Sequence, residues 1–117
     1  MTVLFQIKES STDEEIREFI HKEGNEVRIS HSTEDSIQFL SGEKIDKAVI
    51  SLKNLNDAAI LKYINEYYPG IQVVVIANKA LDDIISIFAR VNYTVIHEPL
   101  KLSELQSKLK IKFKHST

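Results

Sequence analysis

Five short apolar segments alternate along the chain with segments in which apolar residues recur at helical spacing. The apolar segments are rich in β-branched residues, which favour strands. They are TVLFQI (2–7), EVRIS (26–30), KAVISL (47–52), IQVVVIA (71–77) and YTVI (93–96). The third and fourth are apolar without alternation, a pattern typical of strands that are buried on both faces of a parallel sheet. The sequence therefore predicts five strands, at least two of them central.

The segments between the strands predict helices. Thr12 and Glu15 form a capping-box pattern at the start of the first helix, and Gly24 marks its end. We predict the other helices at about 33–41, from about 56 to Pro69, at about 81–89 and after Pro99. The resulting order, strand then helix repeated five times, favours right-handed crossovers over a parallel sheet with helices on both faces. This is an α/β three-layer sandwich, written (βα)5, and it would occupy residues 1–117 as a single domain.

Composition and charge restrict the possible functions. The chain is 43% hydrophobic and 27% charged, with a net charge of -2. Such a balance gives no electrostatic basis for binding nucleic acid or an anionic membrane. Cysteine is absent, which excludes disulfides and thiol catalysis and is compatible with a cytoplasmic location. The N-terminal segment MTVLFQIKES is too short and too quickly charged for a signal peptide. The four histidines lack metal-ligand spacing, so we expect no metal and no cofactor.

Three segments resemble a known family. EEIREFIHKEGNEVRISHSTEDSIQFLSGEKIDKAVIS (14–51) follows the family's first helix through its third strand without a gap. YYPGIQVVVIA (67–77) is similar to the segment around the fourth strand in receiver domains of bacterial two-component response regulators. IHEPLKLSEL (96–105) is similar to the segment that leads into the last helix of those domains. Together with the order and spacing of the other elements, they make the whole chain resemble a CheY-like receiver domain. The resemblance implies a flavodoxin-like five-stranded parallel sheet with strand order 2-1-3-4-5.

The same resemblance locates the positions of the family's phosphorylation chemistry. Receiver domains bind Mg²⁺ with an acidic pair after the first strand and an Asp at the end of the third, and that Asp accepts the phosphoryl group. A Thr or Ser ending the fourth strand and a Lys ending the fifth contact the phosphoryl oxygens. In this chain the corresponding positions hold Ile7 and Lys8 (with Glu9 just beyond), Ser51, Ala77 and Glu98.

These substitutions imply a degenerate pseudo-receiver that lacks the phospho-acceptor Asp and is not an enzyme. A serine hydroxyl such as that of Ser51 is a poor phosphoryl acceptor without a base or a metal. Lys8 and Glu98 could form an ion pair across the vacated pocket. The expected function is phosphorylation-independent signalling through protein–protein contact. Two alternatives are a small-molecule sensor that uses the remodelled pocket and a phospho-transfer domain that uses Ser51.

The resemblance also implies where a partner binds. In receiver domains, dimers and partners usually dock on the face formed by the fourth helix, the fifth strand and the fifth helix. Within the fourth helix, Ile84, Ile85 and Phe88 can face the sheet, whereas Ile87 points elsewhere, to a partner or to the neighbouring helix. The interface candidates are Leu81, Ile87, Arg90, Asn92 and Lys101. The chain is also compatible with the N-terminal regulatory domain of a longer regulator.

Overall fold

A five-stranded parallel sheet forms the centre of the protein in the computed structural model, which describes residues 1–7, 13–22, 24–53, 55–81, 83, 85–86 and 93–97. The strands are β1 (Thr2–Gln6), β2 (Glu26–Ser30), β3 (Lys47–Leu52), β4 (Gln72–Ala77) and β5 (Tyr93–His97). Their spatial order is β2-β1-β3-β4-β5, with every neighbouring pair parallel. The predicted strand order is confirmed, and each strand boundary lies within one residue of its predicted position.

Three α-helices are described in the same part of the chain. They are α1 (Asp13–Lys22), α2 (Thr33–Gly42) and α3 (Ala59–Tyr67). The third predicted helix begins later than expected, because Leu55–Ala58 forms a 3₁₀ turn before α3. A second 3₁₀ turn covers Lys79–Leu81. Most of the predicted fourth helix and all of the fifth lie outside the described residues, so the complete (βα)5 arrangement stays a prediction.

Local signals at the helix ends explain where α1 and α2 stop and start. Gly24, two residues after the end of α1, has a φ of 79°, in the left-handed region that glycine adopts without strain. The side chain of Ser32 accepts a hydrogen bond from the backbone N–H of Asp35 at 3.1 Å and caps the start of α2. The predicted end of α1 is thereby confirmed. The predicted cap Thr12 lies outside the described residues.

The sheet separates two apolar clusters, as its alternating side chains require. Leu4, Ile50 and Val75 point to the face that α2 and α3 cover. Phe5 and Val49 point to the other face, where Ile16 and Ile20 of α1 lie, and all four residues are at most 1% exposed. Helices therefore cover both faces of the sheet. Within the described residues, no helix has the length and apolar character needed to span a membrane.

Candidate functional site

The carboxyl ends of the three central strands bring the sequence-predicted pocket positions together. Gln6, the last residue of β1, pairs with Ile50, so Ile7 follows beside Ser51. Ser51 in turn pairs with Ile76 of β4, and Leu52 pairs with Ala77. Neighbouring strands in a sheet lie about 4.8 Å apart. Three of the six predicted pocket positions, on β1, β3 and β4, therefore share one edge of the sheet.

These three residues are buried at the end of the sheet, Ile7 in the cluster on the α1 face and Ala77 in the cluster on the α3 face. Ile7 is 8% exposed, Ser51 is 7% exposed and Ala77 is completely buried. Within the described part of the chain, the Ser51 hydroxyl makes no hydrogen bond, and no group of three His, Asp or Glu residues could hold a metal ion. Lys8, Glu9 and Glu98 lie outside the described residues, so the ion pair between Lys8 and Glu98 stays a prediction.

A buried polar cluster lies next to this edge, between the ends of β1 and β2 and the start of α2. The hydroxyl of Ser36 lies 2.6 Å from the amide oxygen of Gln6 and 2.8 Å from the hydroxyl of Ser30. Ser30 donates to the backbone oxygen of Ser32 at 2.6 Å, and the Gln6 amide nitrogen lies 3.4 Å from the Thr33 hydroxyl. Gln6, Ser30 and Ser36 are each at most 3% exposed. Buried polar groups stabilise a fold only when they are paired, and these groups pair with one another.

The cluster was missed by sequence reasoning, although the sequence contains a weak signal for it. Gln6 interrupts an otherwise apolar strand, and Ser30 ends the neighbouring strand. Ser36 lies four residues after the cap Ser32, so it is one helical turn inside α2. Next to the cluster, the Nδ1 atom of His31 lies 2.7 Å from the backbone oxygen of Ile7. Because a carbonyl oxygen only accepts, this contact requires a proton on Nδ1. It ties the β2–α2 loop to the end of β1.

The loop after β3 is held by a buried carboxylate. An oxygen of Asp57 accepts a hydrogen bond from the backbone N–H of Lys53 at 2.8 Å, and Asp57 is 5% exposed. Asp57 is thus used to close the turn between β3 and α3. This is a structural role that aspartate commonly has in turns.

Comparisons with known proteins bear on the fold. No protein-family model matches the sequence, and no curated protein matches it. Among solved structures, a CheY-like response regulator receiver domain from Methanospirillum hungatei has a TM-score of 0.83 at 16% identity, covering 97% of this chain and 94% of the other. The orphan response regulator HP1043 of H. pylori has a TM-score of 0.80 at 20% identity, covering 95% and 94%.

The chain has the receiver-domain fold. A third structure extends the comparison to a different kind of protein. It belongs to a family of redox sensors in the streptococci that evolved from two-component response regulators, and it has a TM-score of 0.80 at 15% identity. The match covers 98% of this chain and 52% of that chain. Identities this low establish the receiver fold and leave the activity of the chain to its own residues.

The receiver fold allows the carboxyl ends of β1, β3 and β4 to be compared with the requirements of a phosphorylation site. Ile7, Ser51 and Ala77 lie at the ends of β1, β3 and β4. The sequence resemblance implies the acidic pair, the acceptor and the Thr or Ser of the fourth strand at these positions, and this correspondence stays a prediction. A site for Mg²⁺ needs several oxygen ligands, usually carboxylates. The described positions supply two buried aliphatic side chains and one hydroxyl.

The predicted docking face of the receiver fold is described only in part. β5 lies at the edge of the sheet, and Ile96 is buried while Tyr93, Thr94, Val95 and His97 are half-buried. Leu81 is half-buried and packs against the cluster on the α3 face, and Ile85 is 3% exposed, as predicted for a sheet-facing position. Ile87, Arg90, Asn92 and Lys101 lie outside the described residues. Their place in an interface stays a prediction.

Proposed function

We propose that the protein is a phosphorylation-independent, receiver-like signalling domain that acts by binding another protein or a second copy of itself. One observation carries this proposal. At the three described positions of receiver phosphorylation chemistry, the chain holds Ile7, Ser51 and Ala77, which are 8%, 7% and 0% exposed. Buried positions that hold two aliphatic side chains and one hydroxyl are poorly suited to a doubly charged cation and a phosphoryl group.

Ser51 is a poor replacement for an acceptor carboxylate. Its hydroxyl has a high intrinsic pKa and needs a neighbouring base or a metal before it attacks phosphorus. In addition, Ser51 is only 7% exposed, so a phosphoryl donor has little access to its hydroxyl. The described neighbours Ile7 and Ala77 provide no base. These facts support an interaction domain over the alternative of phospho-transfer through Ser51.

The fold neighbours are compatible with this interpretation. One is described as an orphan response regulator, and another as a redox sensor that evolved from response regulators. This chain has no cysteine, so thiol redox chemistry is not open to it. Contact with a partner requires no reactive group in the pocket.

We place the contact surface on the face formed by the predicted fourth helix, β5 and the predicted fifth helix. Leu81, Ile87, Arg90, Asn92 and Lys101 are its candidate contacts. The half-buried side chains of β5 border this face, because β5 is the edge strand on that side of the sheet. A net charge of -2 gives no support to nucleic acid or a membrane as the partner.

Two measurements test the proposal. The protein is incubated with Mg²⁺ and a small phosphoryl donor, and its intact mass is measured. We expect no added phosphoryl group, whereas stoichiometric modification that disappears in Ser51→Ala would overturn phosphorylation independence. Sedimentation over a range of concentrations then compares wild type with Ile87→Glu. A wild-type dimer that becomes a folded monomer supports the interface.

Arg17→Glu is the matched control for the sedimentation experiment, because Arg17 is exposed on α1, which packs against β2 at the opposite edge of the sheet from β5. It should leave the association unchanged. A monomeric wild type combined with an Ile87→Glu variant that unfolds would place Ile87 in the core and contradict the proposed surface.

A further inference from the structure

β2 presents a free edge at the side of the sheet opposite β5. The N–H of Glu26 donates to the backbone oxygen of Met1 and the N–H of Ile7 donates to the backbone oxygen of Ser30, each at 3.0 Å. Backbone groups of successive residues in a strand point to opposite sides, so those of Val27 and Ile29 point away from β1. The guanidinium of Arg28 covers the Val27 oxygen at 3.2 Å. Within the described part of the chain, the N–H and C=O of Ile29 have no hydrogen-bond partner.

A groove runs along this free edge between β2 and α2. Its lining residues are Ile29, Asp35, Gln38, Phe39, Gly42 and Glu43. Ile29 and Phe39 are half-buried apolar residues, Ile29 against the cluster on the α1 face and Phe39 against the cluster on the α3 face. The exposed Asp35 and Glu43 carry negative charge. Glu43 is already engaged by Arg28, whose Nε lies 3.0 Å from both carboxylate oxygens. Asp35 is the other carboxylate of the lining. An occupant with an extended backbone, apolar side chains and positive charge would match this groove.

The chain itself contains a segment with those three properties. Residues 108–114 have the sequence KLKIKFK, in which lysine and an apolar residue alternate without exception. In a strand, this alternation places Leu109, Ile111 and Phe113 on one face and all four lysines on the other. In a helix, Leu109 and Phe113 would share a face while Ile111 would lie on the opposite side. The alternation thus favours a strand, and the segment lies outside the described residues.

We propose that the segment 108–114 of one copy adds as a strand to the free edge of β2 in a second copy. Its backbone would pair with the outward N–H and C=O of Ile29, as in other cases of strand addition to an exposed edge. The apolar side chains would lie on the α1 face of the sheet, beside Ile29, and the lysines would lie on the α2 face, near Asp35. Association through this edge is separate from the contact face proposed above.

Distance favours a second copy over the same chain. β5 and β2 lie at opposite edges of the five-stranded sheet, separated by four strand spacings, which is about 19 Å at about 4.8 Å each. Residues 98–107 connect His97 to the segment. The helix predicted after Pro99 would advance about 1.5 Å per residue, roughly 15 Å over this connection, and would not cross the sheet.

The test uses a rearranged tail with unchanged composition and charge. The double variant Ile111→Lys/Lys112→Ile removes the alternation and aligns residue 112 with Leu105 and Leu109 at helical spacing. Sedimentation over a range of concentrations should show self-association of the wild type and at least ten-fold weaker association of the double variant. Ile111→Val keeps the alternation and should associate like the wild type. A wild type that is monomeric throughout, or a double variant that associates equally well, overturns the proposal.

A second measurement locates the contact. Amide hydrogen exchange of Ile29 should slow as protein concentration rises, and it should not do so in the double variant. Asp35→Asn should weaken the association at low salt, and high salt should reduce the difference between Asp35→Asn and wild type. An association that Ile87→Glu abolishes while the Ile29 amide is insensitive to concentration would refute the β2 contact and leave the interface proposed above intact.

Discussion

The hydroxyl of Ser36, one turn inside α2, lies 2.6 Å from the amide oxygen of Gln6, the last residue of β1. Both residues are at most 3% exposed, and Ser36 also lies 2.8 Å from the hydroxyl of Ser30 on β2. A single side chain therefore joins two strands to the helix that covers them. The contact lies beside the edge where Ile7 and Ser51 meet, and it fixes the end of β1, which leads into Ile7, against α2.

Replacing Ser36 with alanine should destabilise the protein. The change removes the described partner of the buried Gln6 amide oxygen, whereas the Ser30 hydroxyl keeps its bond to Ser32. A buried polar group that is left unsatisfied costs about 1–3 kcal/mol. Denaturant unfolding followed by circular dichroism measures the effect. Ser41→Ala in the same helix is the control, because Ser41 is exposed and should change the free energy of unfolding by less than about 0.5 kcal/mol. Equal effects of the two variants would contradict the role of the cluster.

Val74→Ala should lower the free energy of unfolding by about 1–3 kcal/mol through lost burial and a residual cavity. Val74 is 1% exposed and lies in β4 between Val49 of β3 and Thr94 of β5. The same denaturant experiment measures it, with the exposed Lys62→Ala as the control. A change within error of zero would mean that β4 does not occupy a central position.

Mg²⁺ should not bind to the vacated pocket at millimolar concentration. The expected region of the site holds Ile7 and Ser51, and neither residue offers the carboxylates that Mg²⁺ needs. Isothermal titration calorimetry measures the binding. Saturable binding that is lost in Glu9→Gln would show that a carboxylate cluster is present after all and would overturn the pseudo-receiver hypothesis.

Lys47→Met should remove a pH dependence of stability on the alkaline side. Lys47 is 3% exposed and donates to Gln72, and burial lowers the pKa of its ammonium group below 10.5 while the charge of Asp46 opposes the shift. Because the folded state then releases its proton at lower pH than the unfolded state, stability rises as pH increases from the lowered pKa to 10.5. Thermal unfolding across this window should show a smaller rise for Lys47→Met. The exposed control Lys62→Met should retain the wild-type slope, and an unchanged slope in Lys47→Met would contradict the assignment.

The positions of the strands were determined by the sequence itself. The runs around Val49 and Val74 are apolar without alternation, and only a strand covered on both faces buries such a run completely. Gly24 and the Pro69–Gly70 pair strongly favour turns, and they marked where one element ends and the next begins. Local chemistry was sufficient because hydropathy and turn preference act over a few residues. The start of α2 at Thr33 was found in the same way, although its cap, Ser32, was not.

The tertiary structure alone decided which polar residues are buried. Gln6, Ser36 and Lys47 belong to residue types that are mostly exposed in folded proteins, and yet each is at most 3% exposed. Their partners are distant in sequence: Gln6 meets Ser36 across 30 positions, and Lys47 meets Gln72 across 25. Burial of a polar group is favourable only when the fold delivers its partner, so no local pattern could show it. The burial of Ser51 has the same origin, because β1 and β4 must align with β3 before Ile7 and Ile76 can lie beside it.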